Sequence, residues 1–143
     1  MMLRIGRRSR FDSFFIPENS MTDPNLILLY VDRPQASTAF YTELLGKEPL
    51  ESSPTFSMFK LESGVMLGLW SRHTVEPAAA ATGGGGELAF TVADDGMVRA
   101  TYAAWKERGL KIAQEPTTMG FGHTFVALDP DGHRLRVFAP AAM

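Results

Sequence analysis

One order of elements occurs twice between Asn25 and Pro140, and that duplication limits the fold more than any other feature of the chain. The apolar, β-branched run "LILLYV" reads as a strand. "DRPQASTAFYTELLG" follows as a helix, with Asp32 as candidate N-cap, Pro34 in the first turn, an apolar stripe through Ala36, Phe40, Leu44 and Leu45, and Gly46 as the stop. Three short strands come next, around "EPLESS", "TFSMFKLE" and "VMLGLWS". Beyond "RHTVEPAAAATGGGG" the order returns. "ELAFTVAD" is a strand, and "DGMVRATYAAWKERG" is a helix with Val98, Thr101 and Trp105 on one face and Gly109 at its end. "LKIAQEP", "FGHTFVALD" and "HRLRVFAP" are strands, the last entered through the tight turn "DPDG".

The expected architecture is therefore α+β: two βαβββ repeats, over 25–71 and 87–140, offset by about 62 residues. The segment 72–86 between them reads as a linker, since its run of glycines favours a mobile connection. In each half one sheet face must cover the helix, which leaves the other face for another purpose. Two curled sheets facing each other would form an open curved β-barrel with a central cavity.

Composition narrows the function. The chain has 143 residues, 45% of them hydrophobic and 21% charged, as in an ordinary soluble globular domain. A net charge of −2 gives no reason to expect nucleic acid or an anionic membrane as partner, and no apolar run is long enough for a membrane span. The chain has no cysteine, which excludes a disulfide framework, a thiol nucleophile and a cysteine metal site. This is compatible with the cytoplasm, the expected location. Residues 1–20 are basic, with Arg4, Arg7, Arg8 and Arg10, but lack the apolar segment of a twin-arginine signal. They read as a disordered extension ahead of a domain over 21–143.

The strings "LYVDRPQASTAFYTELLG" and "DPDGHRLRV", set in a repeated frame, resemble the vicinal oxygen chelate superfamily of glyoxalase I, extradiol dioxygenases, and fosfomycin- and bleomycin-resistance proteins. Within it, "PNLILLYVD", "LGLWS" and "FGHTFVALDPDGHRLRVFAP" look most like the phenazine-antibiotic resistance branch. The resemblance implies a glyoxalase-like fold and, in the enzymes, a divalent metal held by four inward side chains. Counted along this chain, those positions are Asn25, Gly68, Glu87 and Arg136. Glycine offers no side-chain ligand and an always-charged guanidinium repels a cation, so no metal and no other cofactor is expected. His73 and His133 read as solvent-exposed and do not restore the set. His123 on the seventh strand reads as a polar strand residue or a cavity group.

Strand alternation puts Met66, Gly68 and Trp70 on one face and Val65, Leu67 and Leu69 on the other. The aliphatic set suits a helix, which leaves the Met-Gly-Trp set for the cavity. There Gly68 would open room for a flat molecule beside Trp70, a broad stacking surface. The resemblance to phenazine-resistance proteins implies ligand stacking on this tryptophan. The same parity turns Arg136 inward. Its anion is Glu87, a ligand carboxylate, or both. Met58 or Phe59, with Phe121, His123 and Phe125, would complete the wall. The leading expectation is a homodimeric protein that binds and sequesters a planar aromatic, phenazine-type antibiotic without metal and without chemistry. The alternative is a metal-independent lyase, isomerase or reductase in which Glu87, His123 or Tyr30 supplies acid–base chemistry, Tyr30 being weakened by helix-facing parity. Bleomycin binding is disfavoured by the weak net charge and the inward Arg136. A purely structural role would leave Trp70 in the core.

Overall fold

The structure, a computed structural model, describes residues 23–81 and 83–141. The extension expected over 1–20 lies outside the described residues. The chain divides into two compact units between Ala80 and Ala81, within the expected linker. Each unit is a βαβββ module, and together they supply two mixed four-stranded sheets of glyoxalase-like fold. No helix among the described residues is long and apolar enough to cross a membrane.

The first unit runs β1 (Leu26–Val31), α1 (Pro34–Leu45), β2 (Glu51–Ser52), β3 (Phe56–Lys60) and β4 (Met66–Ser71), with strand order β1-β4-β3-β2. β1 and β4 are parallel, a pairing that a tight hairpin cannot make and that the crossover through α1 permits. Proline at the start of α1 lacks only an N–H that the first turn would leave unpaired. Gly46 ends the helix in the left-handed region (φ 69°), its N–H donating to the Thr42 carbonyl. Two expectations need correction here. Arg33, not Asp32, holds the cap position and makes no side-chain cap bond, because Asp32 turns instead to His73 (2.7 Å) and Arg72 (3.4 Å). The buried helix face runs through Pro34, Ser37 and Tyr41 rather than through Ala36, which is exposed. Phe40 and Leu44 are half-buried beside that face.

Helix α1 packs on β3 and β4, and Thr38 Oγ1 donates to Ser57 Oγ at 2.7 Å. Ser57 is in register with Leu69, and Phe59 with Leu67, so these four residues form the helix-facing side. Phe56, Met58, Met66, Gly68 and Trp70 form the opposite side.

The second unit runs β5 (Glu87–Thr91), α2 (Asp95–Glu107), β6 (Lys111–Met119), β7 (Gly122–Leu128) and β8 (Arg134–Pro140), in the order β5-β8-β7-β6. Asp94 caps α2, its carboxylate accepting the Met97 N–H at 2.9 Å. Val98 and Trp105 are buried, as the periodicity requires. Trp105 meets Phe90 and Phe125 edge-on at 5.6 and 5.5 Å, and Tyr102 meets Phe125 at 5.5 Å. Phe90, Val137 and Phe125 are in register across β5, β8 and β7 and face the helix. Arg136, Thr124 and Phe138 take the other side.

Two glycines are fixed by close approach. A Cβ on Gly68 would lie 2.7 Å from Leu28 Cδ2 and 3.2 Å from the Phe56 ring, contacts that a flexible leucine relieves in part. A Cβ on Gly122 would run into the Ala139 carbonyl oxygen, and its φ of 145° strains any other residue. Gly68→Ala is expected to cost about 1–3 kcal/mol as an overpacked site. Gly122→Ala is expected to cost more, because backbone cannot yield as a leucine does. Urea unfolding monitored by circular dichroism ranks the two.

Candidate functional site

Each sheet turns one face away from its helix, and the two faces differ in chemistry. In the first unit the face is apolar. Phe56, Met58, Met66, Trp70 and Val75 form a buried cluster, with Leu26, Leu28, Tyr30, Leu50 and Ala79 packed against it. Trp70 retains 9% of its exposure and meets the Phe56 ring edge-on at 6.2 Å. The volume left by Gly68 is filled by Leu28, its register partner on β1, and by the Phe56 ring. Room for a flat molecule beside Trp70 was the expectation; in the structure the chain's own side chains take that room. Tyr30 is in register with Trp70 and packs on the same cluster, which corrects its assignment to the helix-facing side. Val75 anchors the start of the linker in this cluster, its N–H donating to the Ser71 carbonyl at 3.0 Å.

In the second unit the face is polar and aromatic. The Glu87 carboxylate accepts two hydrogen bonds from Arg136, from Nε to Oε1 at 2.7 Å and from Nη2 to Oε2 at 3.0 Å. This is the paired fork geometry that favours arginine over lysine. Nη1 of Arg136 donates to Gln114 Oε1 at 3.3 Å and to Thr124 Oγ1 at 3.1 Å. Thr124 in turn donates to the Val137 carbonyl at 2.9 Å, which fixes its hydroxyl. Arg134 approaches Glu87 Oε2 at 3.7 Å. The hydrogen bonds from Arg136, ahead of its charge and that of Arg134, hold the Glu87 carboxyl below the usual glutamate range. Its partner Arg136 is raised, chiefly by the same hydrogen bonds. The Arg136 guanidinium lies 5.6 Å from the centre of the Phe121 ring, and Phe121 meets Phe138 edge-on at 5.8 Å. Phe121 keeps 45% of its exposure.

The structure thus brings Glu87, Arg136 and Phe121 together, and separately groups Met66, Gly68 and Trp70. It separates three other expected wall residues from these faces. Phe59 is in register with Leu67 and fully buried on the α1 side; Met58, next to it, takes the position toward Trp70. Phe125 packs under Tyr102 and Trp105. His123 shares the parity of Phe125, is in register with Ala139, and its Nδ1 is 3.0 Å from Thr118 Oγ1. A one-residue step along a strand reverses the face, and this accounts for all three corrections. Asn25 precedes β1, and its carbonyl accepts the Met66 N–H at 2.9 Å. Gln114, Thr124 and Phe138 join the site unforeseen; the alternation of β7 and β8 about Arg136 was the available signal for the last two.

The positions that the resemblance assigns to a metal do not fit a divalent cation. Gly68 supplies no ligand and its space is filled, while both Glu87 oxygens are engaged by a guanidinium that would repel the ion. His133 does not stand free in solvent as expected. Its Nδ1 is 2.8 Å from Asp129 Oδ2, at a side-chain exposure of 13%. Asp129 Oδ1 accepts the N–H groups of Asp131 and His133, so one carboxylate orders the whole "DPDG" turn.

A sequence model of the Glyoxalase/Bleomycin resistance protein/Dioxygenase superfamily matches residues 24–137. The phenazine antibiotic resistance protein EhpR of Enterobacter agglomerans is 32% identical over 117 residues, 80% of this chain and 89% of that protein. The solution structure of protein ATC0852 from Agrobacterium tumefaciens is 61% identical, with a TM-score of 0.79 over 85% of this chain and all of that one. A glyoxalase-related enzyme from Fulvimarina pelagi shares the fold at 21% identity, with a TM-score of 0.73 over 83% of this chain and 88% of its own.

The hydrogen bond to Asp129 raises the His133 pKa above the ordinary histidine value, against the opposing effect of burial. A raised folded-state value means that protonated His133 stabilises the fold in full below about pH 6.5 and that this contribution is lost as pH rises through the raised value. The thermal midpoint of the wild type is expected to fall across that window. His133→Gln is expected to flatten the profile there, as read by melting curves at matched ionic strength.

Proposed function

This chain belongs to the Glyoxalase/Bleomycin resistance protein/Dioxygenase superfamily, and from that premise we propose that it binds and sequesters a planar aromatic, phenazine-type small molecule without a metal. The observation that carries the reading is the 32% identity to a phenazine antibiotic resistance protein across most of both chains. The chemistry of the two helix-free faces supports it. One is an apolar cluster that holds Met58, Met66 and Trp70, and the other sets an exposed phenylalanine beside a fixed guanidinium. Trp70 and Met66 on the first, and Phe121 and Arg136 on the second, are the proposed ligand contacts. Sequestration requires only tight reversible binding, and no acid–base step is assigned to any residue. The protein is further proposed to act as a homodimer in the cytoplasm.

Fluorescence titration with phenazines, quinones and flat aromatic acids tests this reading. The chain has two tryptophans, Trp70 and Trp105, and the second is a buried residue of α2 itself, packed on Phe90 and Phe125. Trp105→Phe therefore leaves Trp70 as the reporter. Saturable quenching by phenazines, unchanged by EDTA and with the ligand recovered intact, is the expected outcome. Trp70→Phe and Phe121→Ala, each read by calorimetry, are expected to weaken binding about tenfold for whichever face meets the ligand, the loss of one aromatic contact. No saturable response would remove the reading, and recovery of a modified product would replace it with an enzyme.

A further inference from the structure

Arginine beside a suspected aromatic ligand is ordinarily taken as an anchor for a ligand carboxylate. The geometry of the second unit points elsewhere. A guanidinium recognises carboxylates along its edge, through N–H groups lying in its plane. On Arg136 the edge formed by Nε and Nη2 is taken by both oxygens of Glu87, and Nη1 donates to Gln114 and Thr124. A ligand carboxylate could gain the paired contact only by displacing Glu87, and at the remaining Nη2–H it would meet a single donor with the ionised Glu87 carboxylate adjacent and opposing it. The four hydrogen bonds leave one Nη2–H and do not engage the faces of the guanidinium, which is held in orientation with its Cζ 5.6 Å from the centre of the Phe121 ring.

We propose that Arg136, held by Glu87, Gln114 and Thr124, recognises the flat ligand by stacking together with Phe121, so that the planar aromatic ring rather than an acid group is what the site selects, and Glu87 is the residue that denies preference to aryl carboxylates. The proposal rests on the binding function above and names the ligand class of that site. Four hydrogen bonds hold the guanidinium in one orientation, so little side-chain freedom is lost when a ring stacks on it. Phe121, 45% exposed, offers an aromatic ring beside the guanidinium. Lysine in place of Arg136 would keep the charge but lose the plane and the paired bonds to Glu87.

The test compares phenazine with phenazine-1-carboxylate by calorimetry, on wild type, Arg136→Lys, Glu87→Gln and Glu87→Ala, with circular dichroism confirming the fold of each. Wild type is expected to bind the two compounds within about threefold of each other. Arg136→Lys is expected to weaken both alike. Glu87→Ala, which frees the guanidinium edge and removes the opposing charge, is expected to raise the carboxylate preference by about tenfold or more, with Glu87→Gln in between; a shift of that size corresponds to about 1.4 kcal/mol. Should Glu87→Ala fail to fold, Glu87→Gln carries the comparison. A wild-type preference for the carboxylate of tenfold or more, abolished in Arg136→Lys, would overturn the inference and leave the binding function standing. An unchanged ratio in the folded Glu87 variants would also overturn it. Absence of saturable binding of either compound to the wild type would overturn both.

Discussion

A β-strand has two sides, and each βαβββ module among the described residues has one helix. That mismatch governs the molecule. A four-stranded sheet with a single helix on it buries one face and must find other chemistry for the second. In the first unit α1 covers Ser57, Phe59, Leu67 and Leu69, and the residues between them are turned away. In the second unit α2 covers Phe90, Phe125 and Val137 through Trp105 and Tyr102, and the residues between these include Thr124 and Arg136. Trp70, Met66 and Arg136 as proposed ligand contacts follow from that parity, and Phe121 comes to Arg136 from the turn before β7.

The Glu87–Arg136 pair shows how the second face tolerates charge. Side-chain exposures of 27% and 17% are too low for either ion to be fully hydrated, so each must be satisfied by protein. Glu87 receives both its strong donors from one guanidinium, and Gln114 and Thr124 supply acceptors for the rest of that guanidinium. Thr124 is itself tied to a backbone carbonyl, so the network ends on the sheet rather than in solvent. Such a network is a means of fixing direction more than of adding stability, since desolvation offsets much of the attraction between the charges.

The repeat and, among the described residues, both helices and all eight strands could be read from the chain because they rest on local signals: strand runs, a proline at a helix start, glycines at helix ends. The face assigned to Met66, Gly68 and Trp70 could also be read, because alternation is local. The errors have two physical sources. Phe59, Phe125 and His123 were included where the register was not anchored, and a slip of one residue reverses a side chain. Tyr30 failed in the same way, since only its pairing with Trp70 across parallel strands fixes its side. The room expected at Gly68 failed for a different reason: a missing side chain is visible in sequence, but the neighbours that fill its volume, Leu28 and Phe56, come from other strands. The burial of His133 against Asp129 depends likewise on a turn closing on itself.

The two halves solve one packing problem in opposite ways. Across the first sheet the row centred on β4 reads Leu28, Gly68, Met58; across the second the corresponding row on β8 reads Ala89, Arg136, Val126. In one, a glycine on the central strand lets a leucine from β1 lie over it. In the other, an alanine on β5 leaves the arginine of β8 the space to extend along the sheet toward Glu87 and Gln114. Large beside small is kept while the strand that carries the large residue is exchanged. The exchange changes what each face can do. A leucine laid over a glycine gives a closed apolar surface, and an arginine beside an alanine gives a charged, planar group that neighbouring side chains can orient. A duplicated module thus carries an apolar face in one copy and an oriented guanidinium in the other, with no change in strand order or crossover.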